Sequence, residues 1–157
     1  MTTEQQIKDF LAQKRIALVG ASRKENSLSH KLFHDLWRQG YDAVPVNPNT
    51  SDYDDLPCAA RVQDIIPPVG AALIMTSAKH AGPAVRDCAE AGISRVWIHL
   101  GAGKNPLSAE DLAFCRDHGM RVIIGYCPYM FLPNPGFFHG LHGWIARLGT
   151  DYKAEKA

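Results

Sequence analysis

Apolar residues along the chain fall into two kinds of grouping. Short unbroken runs occur at "RIALVG" (15–20), "YDAVPVNP" (41–48), "GAALIMTS" (70–77), "SRVWIHLG" (94–101) and "MRVIIG" (120–125). Their length and continuity suit strands buried on both faces. Between them the apolar positions recur at helical spacing. Leu28, Leu32 and Leu36, with Phe33 and Trp37 beside them, stripe a helix over 27–40 that stops at Gly40. A first helix opens at a Thr2 or Thr3 cap and carries Ile7, Phe10 and Leu11 on one face. Two more are predicted over 78–92 and 108–119, the latter headed by Ser108 in a Ser-x-x-Asp capping box. Pro83 is expected in the first turn of its helix, or else that helix begins near Gly82. A proline-rich crossing leads to an aromatic helix over 136–149.

Five apolar strands separated by helices predict an α/β fold, a Rossmann-like doubly wound parallel five-stranded sheet with helices on both faces. The handedness of crossovers leaves few topologies, and the expected strand order is 3-2-1-4-5. A ligand in such a sheet sits beyond the carboxyl ends of the strands, here near a switch between strands 1 and 4. One domain is expected over 1–157, with its core over 7–130.

Composition narrows the functional classes. A chain of 157 residues that is 46% hydrophobic and 21% charged can bury a core of its own. With 17 Lys and Arg against 16 Asp and Glu, the net charge of +1 argues against a nucleic-acid partner. No stretch reaches the roughly 20 apolar residues of a membrane span. Cys58, Cys88, Cys115 and Cys127 form no Cys-x-x-Cys pair, which argues against a zinc ribbon or a thioredoxin-type motif, and their even count alone does not make a disulfide framework. A reduced, cytoplasmic setting is expected.

The loops after the five strands carry the candidate chemistry. In the first, Gly20 lets backbone approach a ligand, while backbone N–H groups and the Ser22 hydroxyl suit phosphate oxygens. Arg23 and Lys24 add two cations there, and Lys79 stands near Thr76 and Ser77 in the third loop. An NAD fingerprint is missing: Ser22 and Glu25 replace its second and third glycines, and Val46-Asn47-Pro48-Asn49 offers no ribose-binding acid. A P-loop is missing too, since Asn105 follows Lys104 and Ile98 stands where the first glycine belongs. His30 and His34 are four apart, but Lys31 follows the first in place of the glutamate of a zinc protease motif. That pair and the His139/His142 pair are read as surface or packing residues, with no metal expected.

"VGAS", "GYDAVPVNPN", "AALIMTSAKHAGPAVRDCAEAGISRVWIHLGAG" and "HGMRVIIGYCPYM" together resemble the small CoA-binding Rossmann domains, a domain also found at the start of the succinyl-CoA synthetase alpha subunit. The resemblance covers about residues 7–130. It implies CoA or acyl-CoA across the strand ends, with Gly20, Ala21, Ser22 and Arg23 on the phosphates and Val46, Asn47 and Pro48 bordering the adenine. It also implies Thr76 and Ser77 on the opposite wall, with the pantetheine arm running toward the last loops. Cys127-Pro128 matches a Cys-Pro pair near the thiol end, although Tyr126 replaces the Asn usual before that cysteine. Lys24 and Lys79 join Arg23 as partners for the 3′-phosphate and pyrophosphate.

No nucleophile with a base, no paired carboxylates and no metal set are legible. The expectation is a binding protein without catalysis of its own, acting as a CoA or acyl-CoA carrier, sensor or regulatory module. The synthetases that share the domain need further domains, for which a chain ending at residue 157 is expected to have no room. Two alternatives stay open: a CoA-binding subunit of a multi-chain acyl-CoA ligase, and an NAD(P)-binding oxidoreductase or redox sensor. The aromatic tail leaves room for a homodimer or a partner subunit.

Overall fold

A computed structural model describes residues 1–100 and 105–133. The predicted helix over 136–149, the His139/His142 pair and the Lys104 turn lie outside the described residues. The elements run α1 (Thr3–Leu11), β1 (Arg15–Val19), α2 (Leu28–Arg38), β2 (Asp42–Val46), β3 (Asp52–Tyr53), β4 (Leu56–Pro57), β5 (Ala71–Ile74), α3 (Ala78–Glu90), β6 (Arg95–Ile98), α4 (Ala109–Asp117) and β7 (Arg121–Ile124). The five long strands form a parallel sheet, and β3 and β4 pair as a small antiparallel hairpin.

The sheet is doubly wound. Alternate strand residues Ile16, Leu18, Leu73, Trp97 and Ile123 face a core closed by Ile7 and Phe10 of α1 and Leu32, Phe33 and Leu36 of α2. Their neighbours Ala17, Ala72, Ile74, Val96 and Ile98 face Ala81, Val85 and Cys88 of α3 and Cys115 of α4. Burial on both faces is why these strands read as unbroken apolar runs. Trp97 lies wholly inside, edge-on to Phe10 at 5.4 Å, with its indole N–H donating to the Tyr126 carbonyl at 3.0 Å.

Strand order departs from expectation. It is β2-β1-β5-β6-β7, or 2-1-3-4-5 in the numbering of the five predicted strands, where 3-2-1-4-5 was expected. β2 is an edge strand for two reasons. Pro45 turns its carbonyl outward to accept from Ala59 N–H at 3.0 Å, so its missing N–H costs no bond to β1. The segment around Ala59 then closes that edge, Asn47 N–H donating back to the Ala59 carbonyl at 2.9 Å. With β2 closed, the next strand crosses to the far side of β1. The topological switch therefore falls between β1 and β5, the first and third predicted strands.

Helix starts follow the sequence signals. Thr2 and Gln5 form a reciprocal capping box for α1, Ser27 caps α2 through His30 N–H, and Ser108 and Asp111 form a second box for α4. Pro83 is the exception, standing in the second turn of a helix that already begins at Ala78. Its ring removes one helical donor, to the Lys79 carbonyl, on an exposed side of the helix. Gly82 beside it is required by packing, because a Cβ there would lie 2.8 Å from the Asp111 carboxylate of α4.

Candidate functional site

The turn between β1 and α2 meets the end of β5 at the switch point. Gly20 adopts φ +88°, and a Cβ on it would lie 2.9 Å from the carbonyl carbon of Met75 and the nitrogen of Thr76. Only glycine satisfies both the left-handed backbone and the contact. The N–H groups of Gly20 and Ala21 both point at the Val46 carbonyl, at 3.0 and 3.3 Å. Ser22 N–H donates to Ser29 Oγ at 3.1 Å, and Ser22 Oγ accepts from Lys24 N–H at 3.2 Å. That last bond leaves the Ser22 hydroxyl proton for a ligand oxygen.

A cleft of about 450 Å³ opens above this turn, lined by Gly20, Ser22, Ser27, Leu28, Ser29, Met75, His99 and Leu100. Its floor is the start of α2, where the first backbone N–H groups have no partner within the helix and the helix dipole favours an anion. Ser27 and Ser29 place two hydroxyls 3.4 Å apart there. Leu28, Met75 and Leu100 supply apolar wall, and buried His99 closes the side at the end of β6.

The expected residues divide into four groups. Gly20 and Ser22 line the cleft, and exposed Arg23 and Lys24 rim the same turn. Arg23 reaches Thr50 Oγ1 at 3.4 Å. Ala21, Val46 and Asn47 hold the turn from behind: Ala21 and Val46 are buried, and Asn47 Nδ2 donates to the Ala21 carbonyl at 2.8 Å. Pro48 is exposed next to them.

Past the end of β5, Thr76, Ser77 and Lys79 are not among the lining residues; Thr76 follows Met75 with its hydroxyl buried and, among the described residues, without a hydrogen-bond partner. Ser77 and Lys79 are exposed at the start of α3. Cys127 is not among the lining residues. It packs in the core shared with Trp97 and Tyr129, and burial pushes its thiol pKa up against a hydrogen bond from Tyr129 N–H.

Leu28, Ser29, Met75, His99 and Leu100 were not singled out from the sequence as site residues. Ser27 carried a signal, the cap of α2. His99 carried one as well, a polar residue closing a buried strand where ligands gather. Met75 and Leu100 read as ordinary strand-end residues. The hairpin was missed altogether because Asp54 and Asp55, at φ +49° and +63°, fill a turn that usually shows glycine. It brings Tyr53 against α2, with its hydroxyl donating to the Ser22 carbonyl at 3.1 Å.

These features suit a phosphate-bearing nucleotide with an apolar arm. The Gly20 turn packs directly on the end of β5, serine side chains and a helix start line the cleft, and two cations stand at its rim. The volume lies within the roughly 300–1,000 Å³ usual for small-molecule sites. Fold and site thus define a doubly wound α/β nucleotide-binding domain.

The family model for the CoA binding domain matches residues 14–133, and the chain belongs to that family. Over 124 residues it is 30% identical to the ADP-forming acetate–CoA ligase II of Archaeoglobus fulgidus, an alignment covering 74% of this chain and 18% of that protein. The chain therefore spans under a fifth of that relative's length. Among solved structures, a hypothetical protein from Pyrococcus horikoshii is similar at 25% identity and TM-score 0.72, with 82% of this chain and 87% of that chain covered. The dinucleotide-forming acetyl-coenzyme A synthetase 1 of Ca. Korarchaeum cryptofilum is similar at 25% identity and TM-score 0.62, with 69% and 25% covered.

Proposed function

We propose that the cleft between the β1–α2 turn and the ends of β5 and β6 binds CoA or acyl-CoA, and that the protein acts as a carrier, sensor or regulatory module in a reduced cytoplasmic setting. The observation that carries this is the convergence on one cleft of the Gly20 turn, packed against the Met75–Thr76 backbone, the start of α2 and the Ser22, Ser27 and Ser29 side chains. Ser22, Ser27 and Ser29 offer donors to phosphate oxygens, and Arg23 and Lys24 offer charge at the rim. Lys79 serves from the opposite side, while Val46, Asn47 and Pro48 shape the adenine end. Thr76, Ser77 and Cys127 are assigned to the pantetheine side, where the Thr76 hydroxyl has donor capacity to spare.

A second reading has its own support. Likeness to an ADP-forming acetate–CoA ligase favours a CoA-binding part of a multi-chain acyl-CoA ligase. Native mass spectrometry of gently purified protein, titrated with CoA, acetyl-CoA, NAD and NADP, tests the first reading. Saturable binding of CoA or acetyl-CoA supports it, and binding of NADP with none of CoA overturns it. A co-purifying large subunit, together with nucleotide-dependent thioester formation, selects the ligase reading.

A further inference from the structure

One turn along α2 from the cleft, a cluster of metal-ligating groups comes together from two elements. His30 and His34 lie on one face of the helix, ring centroids 4.6 Å apart. The β3–β4 turn swings Asp54 over them, its Oδ2 2.7 Å from His34 Nε2 and 3.6 Å from His30 Nε2. One ligand atom from each of the three lies within 4.8 Å of the others. The missing element in the sequence was a carboxylate near the histidine pair, and Asp54 supplies it from 20 residues beyond His34.

The surroundings of His30 make this more than a surface ion pair. His30 Nδ1 lies 3.4 Å from the Tyr53 hydroxyl, whose proton goes to the Ser22 carbonyl at the shorter distance of 3.1 Å. The phenol oxygen is left free to accept from His30 Nδ1. The Nε2 atoms of both histidines face the same Asp54 oxygen, so a cation among them would be shared by all three side chains. A hydrogen bond from the outer ring nitrogen is also how metal-bound histidines are oriented. His30 is the most buried of the three, its side chain 12% exposed, while His34 and Asp54 are open enough for an ion to enter.

We propose that His30, His34 and Asp54 bind one divalent transition-metal ion of the zinc type, with the remaining coordination position open to solvent. Two imidazoles and a carboxylate suit Zn²⁺, and Co²⁺ as its spectroscopic substitute, better than Ca²⁺ or Mg²⁺, which prefer all-oxygen sites. Donors bound tetrahedrally at about 2.1 Å stand about 3.4 Å from one another. The His30–Asp54 separation already fits, and His34 and Asp54 part slightly. The site is independent of what the cleft holds, although Tyr53 joins it to the Ser22 turn.

The test uses the full chain after EDTA treatment. It is titrated with Zn²⁺ by calorimetry, with stoichiometry from native mass spectrometry, and with Co²⁺ followed by visible absorption. The expected result is one saturable Zn²⁺ per chain and the intense visible bands of four-coordinate Co²⁺. His34→Gln and Asp54→Asn should each weaken Zn²⁺ binding tenfold or more. Tyr53→Phe, which keeps the buried ring, should weaken it about tenfold. His118→Gln should leave it unchanged. Melting temperatures in EDTA show whether each variant is folded, and either ligand variant suffices if the other is not. Absence of saturable Zn²⁺ at micromolar concentration overturns the proposal. So does an ion retained by both ligand variants, including one lost only on His139→Gln or His142→Gln.

Discussion

Gly20 and Thr76 meet backbone to backbone: a Cβ on the glycine would lie 2.9 Å from the threonine nitrogen. The contact joins the first turn to the end of β5 and fixes the width of the cleft. Gly20→Ala meets a steric clash as well as a left-handed φ of +88°. The expected loss of stability is about 3 kcal/mol, combining roughly 1–2 for the backbone and 1–3 for overpacking. Urea unfolding measures it, and a loss below 1 kcal/mol would contradict the contact. CoA binding by the folded fraction should fall as well.

The two rim cations predict a ligand-specific effect. Replacing Arg23 and Lys24 together with Ala should weaken CoA more than dephospho-CoA, because the two ligands differ only in the 3′-phosphate. Parallel calorimetric titrations compare the losses, and equal losses would remove the 3′-phosphate assignment. Both side chains are exposed, so the melting temperature should hardly move.

Asp9 predicts a pH dependence. Its Oδ2 accepts from Arg95 Nε at 2.8 Å and from Arg121 Nη1 at 2.5 Å, clamping α1 to the starts of β6 and β7. The Arg95 hydrogen bond, opposed by desolvation and reinforced by Arg121, holds the carboxyl below its ordinary value of 3.8. A depressed folded-state pKa contributes stability above the unfolded-state value, and that stability is lost as pH falls through the folded-state value. Asp9→Asn should therefore be less stable than the parent by a constant margin above about pH 5, a margin that narrows on acidification. Denaturant midpoints from pH 7 to pH 3 show the trend, and a margin that stayed constant to pH 3 would refute the clamp.

Thiol reactivity should follow burial. Cys88 lies fully inside between α3 and the sheet, and burial, with Asp87 and Cys115 adding, pushes its thiol up to about 12. Cys58 is only partly covered, though burial raises its pKa too. Iodoacetamide on the native protein should label Cys58 well before Cys88, because the thiolate is the reacting species. Peptide mapping over time gives the order, and labelling of Cys88 first would mean that α3 opens readily.

How much of this was legible depended on how local each cause was. Strand positions were legible because both faces are buried, so "RIALV" and "AALI" stand out with no partner known. Caps at Ser27 and Ser108 were legible because a cap and its target lie within three residues. Strand order was less so: the one local clue, Pro45, marks an edge strand without naming its neighbour. Gly20 pointed to the site, but Met75 and His99 became its wall only once β5 and β6 lay beside β1. The His30–His34–Asp54 cluster needed a hairpin that carries no glycine to announce it.

The switch between β1 and β5 sends α2 to one face of the sheet and α3 to the other. The cleft at that divide is bounded by the two strands and by the first turn of α2, with α3 starting beyond its rim. A ligand that binds there only in the folded chain would stabilise the fold by mass action. Its binding energy would add to the free energy of unfolding of the whole molecule. Ligand occupancy then becomes a property of the fold's cooperativity, and the melting temperature becomes a gauge of how full the cleft is.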